Sequence, residues 1–356
     1  MRPTFLRATP RFIAGVAFAA LSSAASAQGA VERVTLPGRD VAIYNLAGSI
    51  KAIGGSGNAV VVTVAKSGKD AGQLRVAQGA VHGGQALRVV FPARRITFGS
   101  ENQWGSHTTV RVADDGTFDG NADDGSRVEI SGRPGGLEAR ADLTVAVPPG
   151  TALHLHLAAG DVSINNVDGE IAVDVFDASV TTAGTKGSLN LDTGSGETNI
   201  TDATGDVILD SGSGSVTLSR IRGQHLSVDA GSGSLHGDNI DARRIDMDLG
   251  SDGATLKNVT ASEIKLDCGS GETELDLVSD IHLLDIDSGS GGVTLWIPSS
   301  LGAKVDIDAG SGAIDLGVPV TVTRWESDHV IGTIGDGQGT IRIDAGSGGV
   351  HLKKRS

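Results

Sequence analysis

The chain has very few of the residues that cross-link or stiffen a protein. Its 356 residues include one cysteine, Cys268, so no intramolecular disulfide can form. Aromatic residues make up only 3%, which excludes a core built from large rings, and the nine prolines leave most backbone N–H groups free for sheet hydrogen bonds. Stability must therefore come from buried aliphatic side chains and from backbone hydrogen bonding.

Basic residues are also in the minority. Lysine and arginine number 29 against 43 aspartates and glutamates, which gives a net charge of −14. Because proteins that bind nucleic acid carry a basic footprint, this balance argues against nucleic acid as a partner. An acidic surface keeps a repetitive protein soluble.

Long apolar runs are confined to the start of the chain. Residues 1–27 contain three arginines, an apolar stretch over residues 12–21 and the small-residue site Ala25-Ser26-Ala27. This order is typical of a secretory signal peptide, and the apolar stretch is too short to span a bilayer. The sequence predicts an exported protein of the periplasm or the cell surface, with no transmembrane span after signal cleavage.

Glycine, in contrast, is abundant and regularly placed, with 52 residues. Glycine at every third position, as in collagen, is absent, and the glycines alternate with Val, Ile and Leu, which disordered segments lack. The motif apolar-x-apolar-Asp-x-Gly-Ser-Gly recurs from Leu189 onward. Its aspartates, spaced by 18, 19, 19, 19, 20, 21 and 36 residues, are Asp192, Asp210, Asp229, Asp248, Asp267, Asp287, Asp308 and Asp344.

The motif predicts short strands joined by sharp corners. Apolar and polar residues alternate with the strand period, so Leu189 and Leu191 are expected to face a core and Asn190 to face solvent. Stacked coils would place like residues in columns, and the same alignment puts Asp174 and His156 in the aspartate column. Between Asp308 and Asp344 the spacing predicts one degenerate or expanded coil.

The motif residues are interpreted as a structural turn ladder. Asp can accept hydrogen bonds from N–H groups two residues on, and glycine reaches positive φ without steric cost. A calcium ladder is the alternative, although each coil supplies only one carboxylate. The ladder residues are Asp192, Gly194, Gly196, Asp210, Gly212, Gly214, Asp229, Gly231, Gly233, Asp267, Gly269, Gly271, Asp287, Gly289, Gly291, Asp308, Gly310 and Gly312.

The chain divides into three regions. Residues 1–27 are the predicted signal peptide, residues 28–150 form a less regular β-rich part, and residues 151–356 carry the regular repeat. Within the second region, the segment near residues 100–136 is polar and rich in glycine and aspartate, which predicts a long loop or a protruding hairpin.

Several residues outside the repeat are candidates for metal binding. Asp119, Asn121 and Asp123 partly match the first ligands of a calcium loop, but the following glycine and glutamate are each displaced by one place. A solvated acidic loop is the competing interpretation. His154 and His156 alternate with leucines on one outer face, and surface histidines are favoured over a metal site because no third ligand is evident. Neither a cofactor nor a catalytic residue is predicted.

The single cysteine and two pairs of arginines are further candidates for a chemical role. Cys268 lies inside a repeat beside Asp267 and is interpreted as a tolerated turn residue. The pairs Arg94-Arg95 and Arg243-Arg244 raise the alternative of a β-helix polysaccharide lyase, an enzyme that combines acidic calcium ligands with a basic residue.

The chain resembles the bacterial putative-adhesin β-strand-repeat family, which is related to the "head GIN" domains of autotransporter adhesins. The resemblance rests on "ADLTVAVPPGTALHLHLAAGDVSI", on the serial "DSGSG" units and on "NLAGSIKAIGG". It implies an exported, all-β protein folded as a right-handed parallel β-helix with coils of 18–21 residues. It also implies a non-catalytic role as an adhesin or scaffold that binds an envelope protein or glycan. A periplasmic signalling or binding partner is the remaining alternative.

Overall fold

The structure is a computed structural model that describes residues 31–99, 107–118 and 125–355. The predicted signal peptide, residues 1–27, lies outside these ranges. Within them the chain is all-β, as predicted, apart from a 3₁₀ turn at Ala71–Gln73. No helix in the described part has the length and apolar character needed to cross a membrane.

The strands are β1 Val31–Pro37, β2 Asp40–Gly54, β3 Ala59–Ser67, β4 Arg75–Val81, β5 Gly84–Val90, β6 Arg95–Thr97, β7 His107–Val112, β8 Ser126–Ser131, β9 Arg140–Val147, β10 Thr151–Asn165, β11 Gly169–Ala183, β12 Leu189–Ser195, β13 Thr198–Thr201, β14 Val207–Ser213, β15 Val216–Ser232, β16 Leu235–Leu249, β17 Ala254–Thr260, β18 Glu263–Cys268, β19 Thr273–Leu277, β20 Leu283–Ser288, β21 Val293–Ile297, β22 Ala303–Asp308, β23 Ile314–Leu316, β24 Thr321–Trp325, β25 His329–Ile334, β26 Gly339–Asp344 and β27 Val350–Lys354. Twenty-four of them join in one sheet, and β6, β8 and β7 form a second, three-stranded sheet.

The middle of the molecule, from β10 to β21, is a stack of parallel strands in chain order. Leu153 pairs with Ile171, 18 residues later, and Ile264 pairs with Leu284, 20 residues later. Most apolar side chains of these strands point inward and are buried, so each coil extends one aliphatic core; Ile208 is an exception and is exposed. We call the strand before each Asp-x-Gly-Ser-Gly segment the first half of its coil and the strand after it the second half.

The corner between the two halves depends on glycine for a steric reason. Gly214 has φ +124°, and a Cβ at this position would lie 2.0 Å from the carbonyl oxygen of Gly196 in the preceding coil. Gly196 and Gly233 have the same kind of φ and the same crowding. The coils can stack at the strand spacing of about 4.8 Å only because these corners carry no side chain.

A second column of corners is also left-handed, but Gly184 is its one glycine among the described residues from Asn166 to Asn258. Asn166, Asp202, Arg220, Asn239 and Asn258 all have φ between 52° and 56°. Asn and Asp tolerate this region, whereas Arg220 is unusual there. Its guanidinium makes two hydrogen bonds to Asp202, at 2.6 and 2.9 Å, which tie it to the preceding coil. No single residue type marks this column, so the repeat in the sequence does not reveal it.

The C-terminal end departs from chain order. β26 pairs in parallel with β20 on one side and with β22 on the other, so the last coil lies between two earlier ones. The prediction of one degenerate coil between Asp308 and Asp344 is therefore wrong. The segment forms the antiparallel pair β24–β25, and β25 pairs antiparallel with β22. Two alternating strands separated by three residues favour a hairpin over a coil, and a hairpin can close the end of a stack.

The N-terminal end is closed in a similar way. β2 pairs in parallel with β10, although about a hundred residues separate them in the chain. β5 and β9 cover the other edge of β2, and β3 pairs antiparallel with β9. Within the segment near residues 100–136, β7 and β8 form an antiparallel pair whose Val110, Val128 and Ile130 are buried. This part of the segment is a packed small sheet, because alternating apolar residues lie among its polar ones.

Candidate interaction surface

The aspartate column runs along the outer face of the first-half strands. Its members pair directly from coil to coil, with no register shift. In spatial order this carboxylate ladder consists of Asp174, Asp192, Asp210, Asp229, Asp248, Asp267, Asp287, Asp344 and Asp308. At about 4.8 Å per step the nine carboxylates span roughly 40 Å. All except the half-buried Asp174 are exposed.

Most ladder aspartates do not cap the turn that follows them. Within the described residues, the side chains of the six from Asp192 to Asp287 make no hydrogen bond or ion pair. Asp308 and Asp344 do act as caps: they accept hydrogen bonds from the N–H groups of Gly310 and Gly346, at 2.8 and 3.2 Å.

The difference between these two groups has a structural cause. β12, β14 and β15 continue through the aspartate to the following serine, and β16, β18 and β20 continue one residue past it, so these aspartates lie within a strand and point outward. β22 and β26 end at their aspartate, and a tight turn begins there. Turn capping, predicted for the whole column, is thus correct for these two end coils and wrong for the middle coils.

The ladder is electrostatically unfavourable in the middle of the stack. Partial burial, followed by the charges of the neighbouring carboxylates, raises the pKa of Asp192, Asp229 and Asp287 above the ordinary value. Asp246, on the same face but outside the ladder, behaves differently. Its hydrogen bonds from Arg244 and His225 lower its pKa. From Asp192 to Asp287 the ladder is therefore a row of like charges without local compensation among the described residues.

A shallow groove of about 390 Å³ follows the ladder in the C-terminal half of the stack. Asp229, Asp248, Asp267 and Asp287 form one wall. The adjacent outward column adds two more carboxylates and Lys265. The groove can accept an extended ligand that places a positive group at each step.

At its N-terminal end the ladder stops at an aromatic cluster. His156 is in register with Asp174 and lies 3.3 Å from its carboxylate, while its ring stacks on Tyr44 at a centroid distance of 4.3 Å. Phe118 packs edge-on against both rings. His154 lies 3.6 Å from Asp40 and is more exposed. Both histidines lie on the outer face, as predicted, but His156 is covered by the aromatic rings rather than free in solvent.

A larger cleft, of about 470 Å³, separates the three-stranded sheet from the stack. Phe98 and Ile130 line its apolar side, and Arg140, Asp161 and Asp177 line its polar side. Arg140 is engaged with Asp142 at 3.4 Å, so the polar side carries an excess of negative charge. The cleft extends the acidic character of the surface beyond the ladder.

The remaining sequence candidates are dispersed. Asp119, Asn121 and Asp123 lie outside the described residues, within which no group of three or more His, Cys, Asp or Glu side chains could hold a metal ion. Arg95 lies 3.8 Å from Glu129, and Arg244 pairs with Asp246 at 2.6 Å on a different part of the surface.

Cys268 is not a turn residue. Its side chain is fully buried, and burial is the main cause that raises the pKa of its thiol. It belongs to an inward column at the position between Asp and Gly of each repeat. All members of this column are buried and are small or apolar, and this shared character is the signal in the sequence that would have indicated an inward position. The members are Thr193, Ser211, Ala230, Leu249, Cys268, Ser288, Ala309 and Ala345.

Comparison with known proteins identifies a family. Residues 143–353, more than half of the chain, match the model of the Toastrack DUF4097 family. No curated protein matches the chain. Among solved structures, a putative cell adhesion protein from Clostridium sporogenes is similar with 12% identity over 92% of this chain and 100% of that one, at a TM-score of 0.20. By the family match, the chain belongs to the Toastrack DUF4097 family.

Proposed function

We propose that the protein is an exported, non-catalytic scaffold of the bacterial cell envelope that binds a basic partner along its carboxylate ladder. In this proposal the stack is a right-handed parallel β-helix with coils of 18–21 residues. Family membership and the long β-stack support a scaffold, because a stack of this kind offers extended, rigid outer faces.

The observation that carries the proposal is the uninterrupted ladder. Nine carboxylates in register form a periodic array, and six of them have no compensating partner among the described residues. Since stacked like charges oppose folding, their retention is explained by contact with positive charge outside the chain. A periodic array also allows many weak contacts to act together, so that a partner is held although each contact alone is weak.

The negative charge of the ladder favours a positively charged partner. A basic protein segment complements it, whereas an anionic glycan would be repelled. Such contacts would be strongly salt-dependent, because the ladder is exposed and the Debye length at physiological ionic strength is only about 8 Å. We therefore expect a basic envelope protein rather than a lipid headgroup surface, which carries negative charge.

The ladder is tested with a synthetic lysine-rich peptide and a glutamine-substituted peptide of the same length. Isothermal titration calorimetry at low salt compares the mature protein with two triple variants of equal charge change. D192N/D229N/D287N interrupts the ladder, whereas the control, E197Q/D241N/E272Q, removes exposed carboxylates outside it.

We expect the ladder variant to bind the basic peptide about tenfold more weakly or worse, and the control to lose less than about threefold. Equal losses in both variants would contradict the proposal, because they would show that net charge alone governs binding. The glutamine-substituted peptide should bind neither the mature protein nor the variants.

Export is tested by protease shaving of intact cells, with a periplasmic protein as the control. Loss of the mature chain while the control survives would place the scaffold on the outer surface. Protection until the outer membrane is breached would place it in the periplasm and direct the search to a periplasmic partner. Recovery of the chain with residues 1–27 uncleaved in the cytoplasm would contradict export.

A further inference from the structure

The second-half strands carry a different kind of surface near the C-terminal end of the stack. Trp296 lies on the outer face of β21, in register with Asp276 of one neighbouring strand and Lys353 of the other. It is half-buried, whereas the other tryptophan in the described residues, Trp325, is exposed on the end hairpin. Trp296 thus presents an indole on the outer face of a strand that has a neighbouring strand on each side.

Polar side chains fix the orientation of this indole. Its Nε1–H donates to Glu274 Oε1 at 3.2 Å, and Lys353 Nζ lies 5.0 Å from the ring centroid. A tryptophan held by its N–H and flanked by a cation is a rigid platform rather than a filler of the core.

A cleft of about 270 Å³ opens beside the platform, lined by Lys257, Glu274, Asp276, Trp296 and Arg355. This volume is slightly below the range of about 300–1,000 Å³ that holds drug-sized ligands, so the cleft fits a single ring better than a folded chain. Its basic residues, Lys257 and Arg355, also distinguish this cleft from the rest of the surface, where carboxylates dominate. Together with Lys353, the cleft brings three cations to one aromatic ring.

Two polar atoms of these lining residues lack hydrogen-bond partners within the described part of the chain. Arg355 Nη1 and Asp276 Oδ1 are both buried and make no hydrogen bond. Asp276 Oδ1 does lie 3.4 Å from Arg355 Nε, which is an ion pair without hydrogen-bond geometry. Arg355 is held on its other side by Asn258 Oδ1 at 2.6 Å. Buried polar groups of this kind are usually satisfied, so their presence beside a cleft points to a polar ligand.

We propose that the Trp296 cleft binds one residue of an acidic saccharide. The C–H face of a pyranose ring packs on the indole, and its hydroxyls donate to Glu274 and Asp276. The sugar carboxylate pairs with Lys257 and Arg355, which present the point charge and the planar fork that recognise carboxylates. The cleft is independent of the carboxylate ladder, which lies on the other half of each coil and has the opposite charge preference.

Binding is tested on the whole mature protein with a short oligogalacturonide and with the same oligosaccharide fully methyl-esterified. Two-dimensional NMR of the indole N–H groups gives a readout specific to each tryptophan. The W296F and W325F variants assign the signals of these two tryptophans among the three in the sequence. We expect the acidic probe to shift the Trp296 signal and leave the Trp325 signal unchanged, and to bind at least about tenfold more tightly than its ester by calorimetry.

The matched variants are W296A and W325A, with K257Q/R355Q to test the charged side. We expect W296A and K257Q/R355Q each to weaken binding about tenfold or more, while W325A binds like the parent protein. A thermal melt of each variant checks folding, and the K257Q/R355Q variant also retains the indole as a spectroscopic probe. Equal affinity for the acidic and esterified probes, an unmoved Trp296 signal, or equal losses in W296A and W325A would overturn the proposal. The ladder variant D192N/D229N/D287N should bind the acidic saccharide normally, so failure of one proposal is distinguishable from failure of the other.

Discussion

The middle of the stack and its two ends use the same kind of strand but follow different rules of order. From β10 to β21 each strand pairs with the next coil in the chain. At the C-terminal end β26 enters between β20 and β22, and at the N-terminal end β2 pairs with the distant β10. In the middle, each repeated coil lengthens the hydrophobic core, whereas at the two ends the stacking of coils has to stop. Antiparallel strands at both ends cover the open coil and prevent continued parallel stacking.

The largest expected effect concerns the corners of the middle coils. G214A places a methyl group 2.0 Å from the carbonyl oxygen of Gly196, at φ +124°. Because the neighbouring backbone cannot yield without breaking the stack, we expect a loss of about 3 kcal/mol or more in unfolding free energy. G57A is the control: Gly57 also has positive φ, but a Cβ there has open space around it. We expect it to cost about 1–2 kcal/mol, measured by urea denaturation.

A smaller contrast separates buried side chains in the middle from those at the end. We expect I264A, in a fully buried site of β18, to cost about 2–5 kcal/mol. I334A, on the end strand β25, should cost less, because only one side of that strand faces the stack and it can open locally. Hydrogen exchange should show β24 and β25 exchanging before β18. Equal protection of these strands would contradict the separation of middle from end.

The strands, their buried faces and the aspartate column could be predicted from the sequence. The alternation around Leu189 and Leu191 predicts strands and their inward faces, because burial follows the strand period. The spacing of the aspartates places them in one column, including Asp174 before the regular motif begins. The all-β prediction is confirmed.

The order of the strands at the two ends of the stack could not be predicted from the sequence. A coil inserted out of sequence has the same local pattern as a coil in sequence, so β26 carries no signal of its neighbours. The role of each aspartate also depends on where its strand ends, which the shared motif does not reveal. The Trp296 cleft was missed for a related reason: it joins residues from four parts of the chain, and only stacking brings them together.

A still smaller effect distinguishes the two roles of the ladder aspartates. We expect D308A to destabilise the protein by about 1 kcal/mol, because the Gly310 N–H loses its acceptor. D210A lies in mid-strand and, within the described residues, removes no hydrogen bond of its side chain. It should be neutral or slightly stabilising in thermal denaturation. A comparable loss in both variants would mean that the middle aspartates cap their turns after all.

The pH dependence of the ladder follows from its raised pKa values. Asp192, Asp229 and Asp287 bind protons more tightly in the folded than in the unfolded chain. They therefore reduce stability at pH values above their folded pKa, and this penalty disappears as the pH falls below the ordinary value of 3.8. A ladder kept for binding should thus make the protein less stable at neutral pH.

The most direct test compares the unfolding free energy of the parent protein and the D192N/D229N/D287N variant from neutral to acidic pH. If the ladder exists for an external partner, the variant should be more stable by about 1 kcal/mol in total at neutral pH. The difference should vanish as the pH falls below 3.8. A variant that is less stable than the parent protein at neutral pH would contradict the account, because the aspartates would then be part of the structural support of the stack.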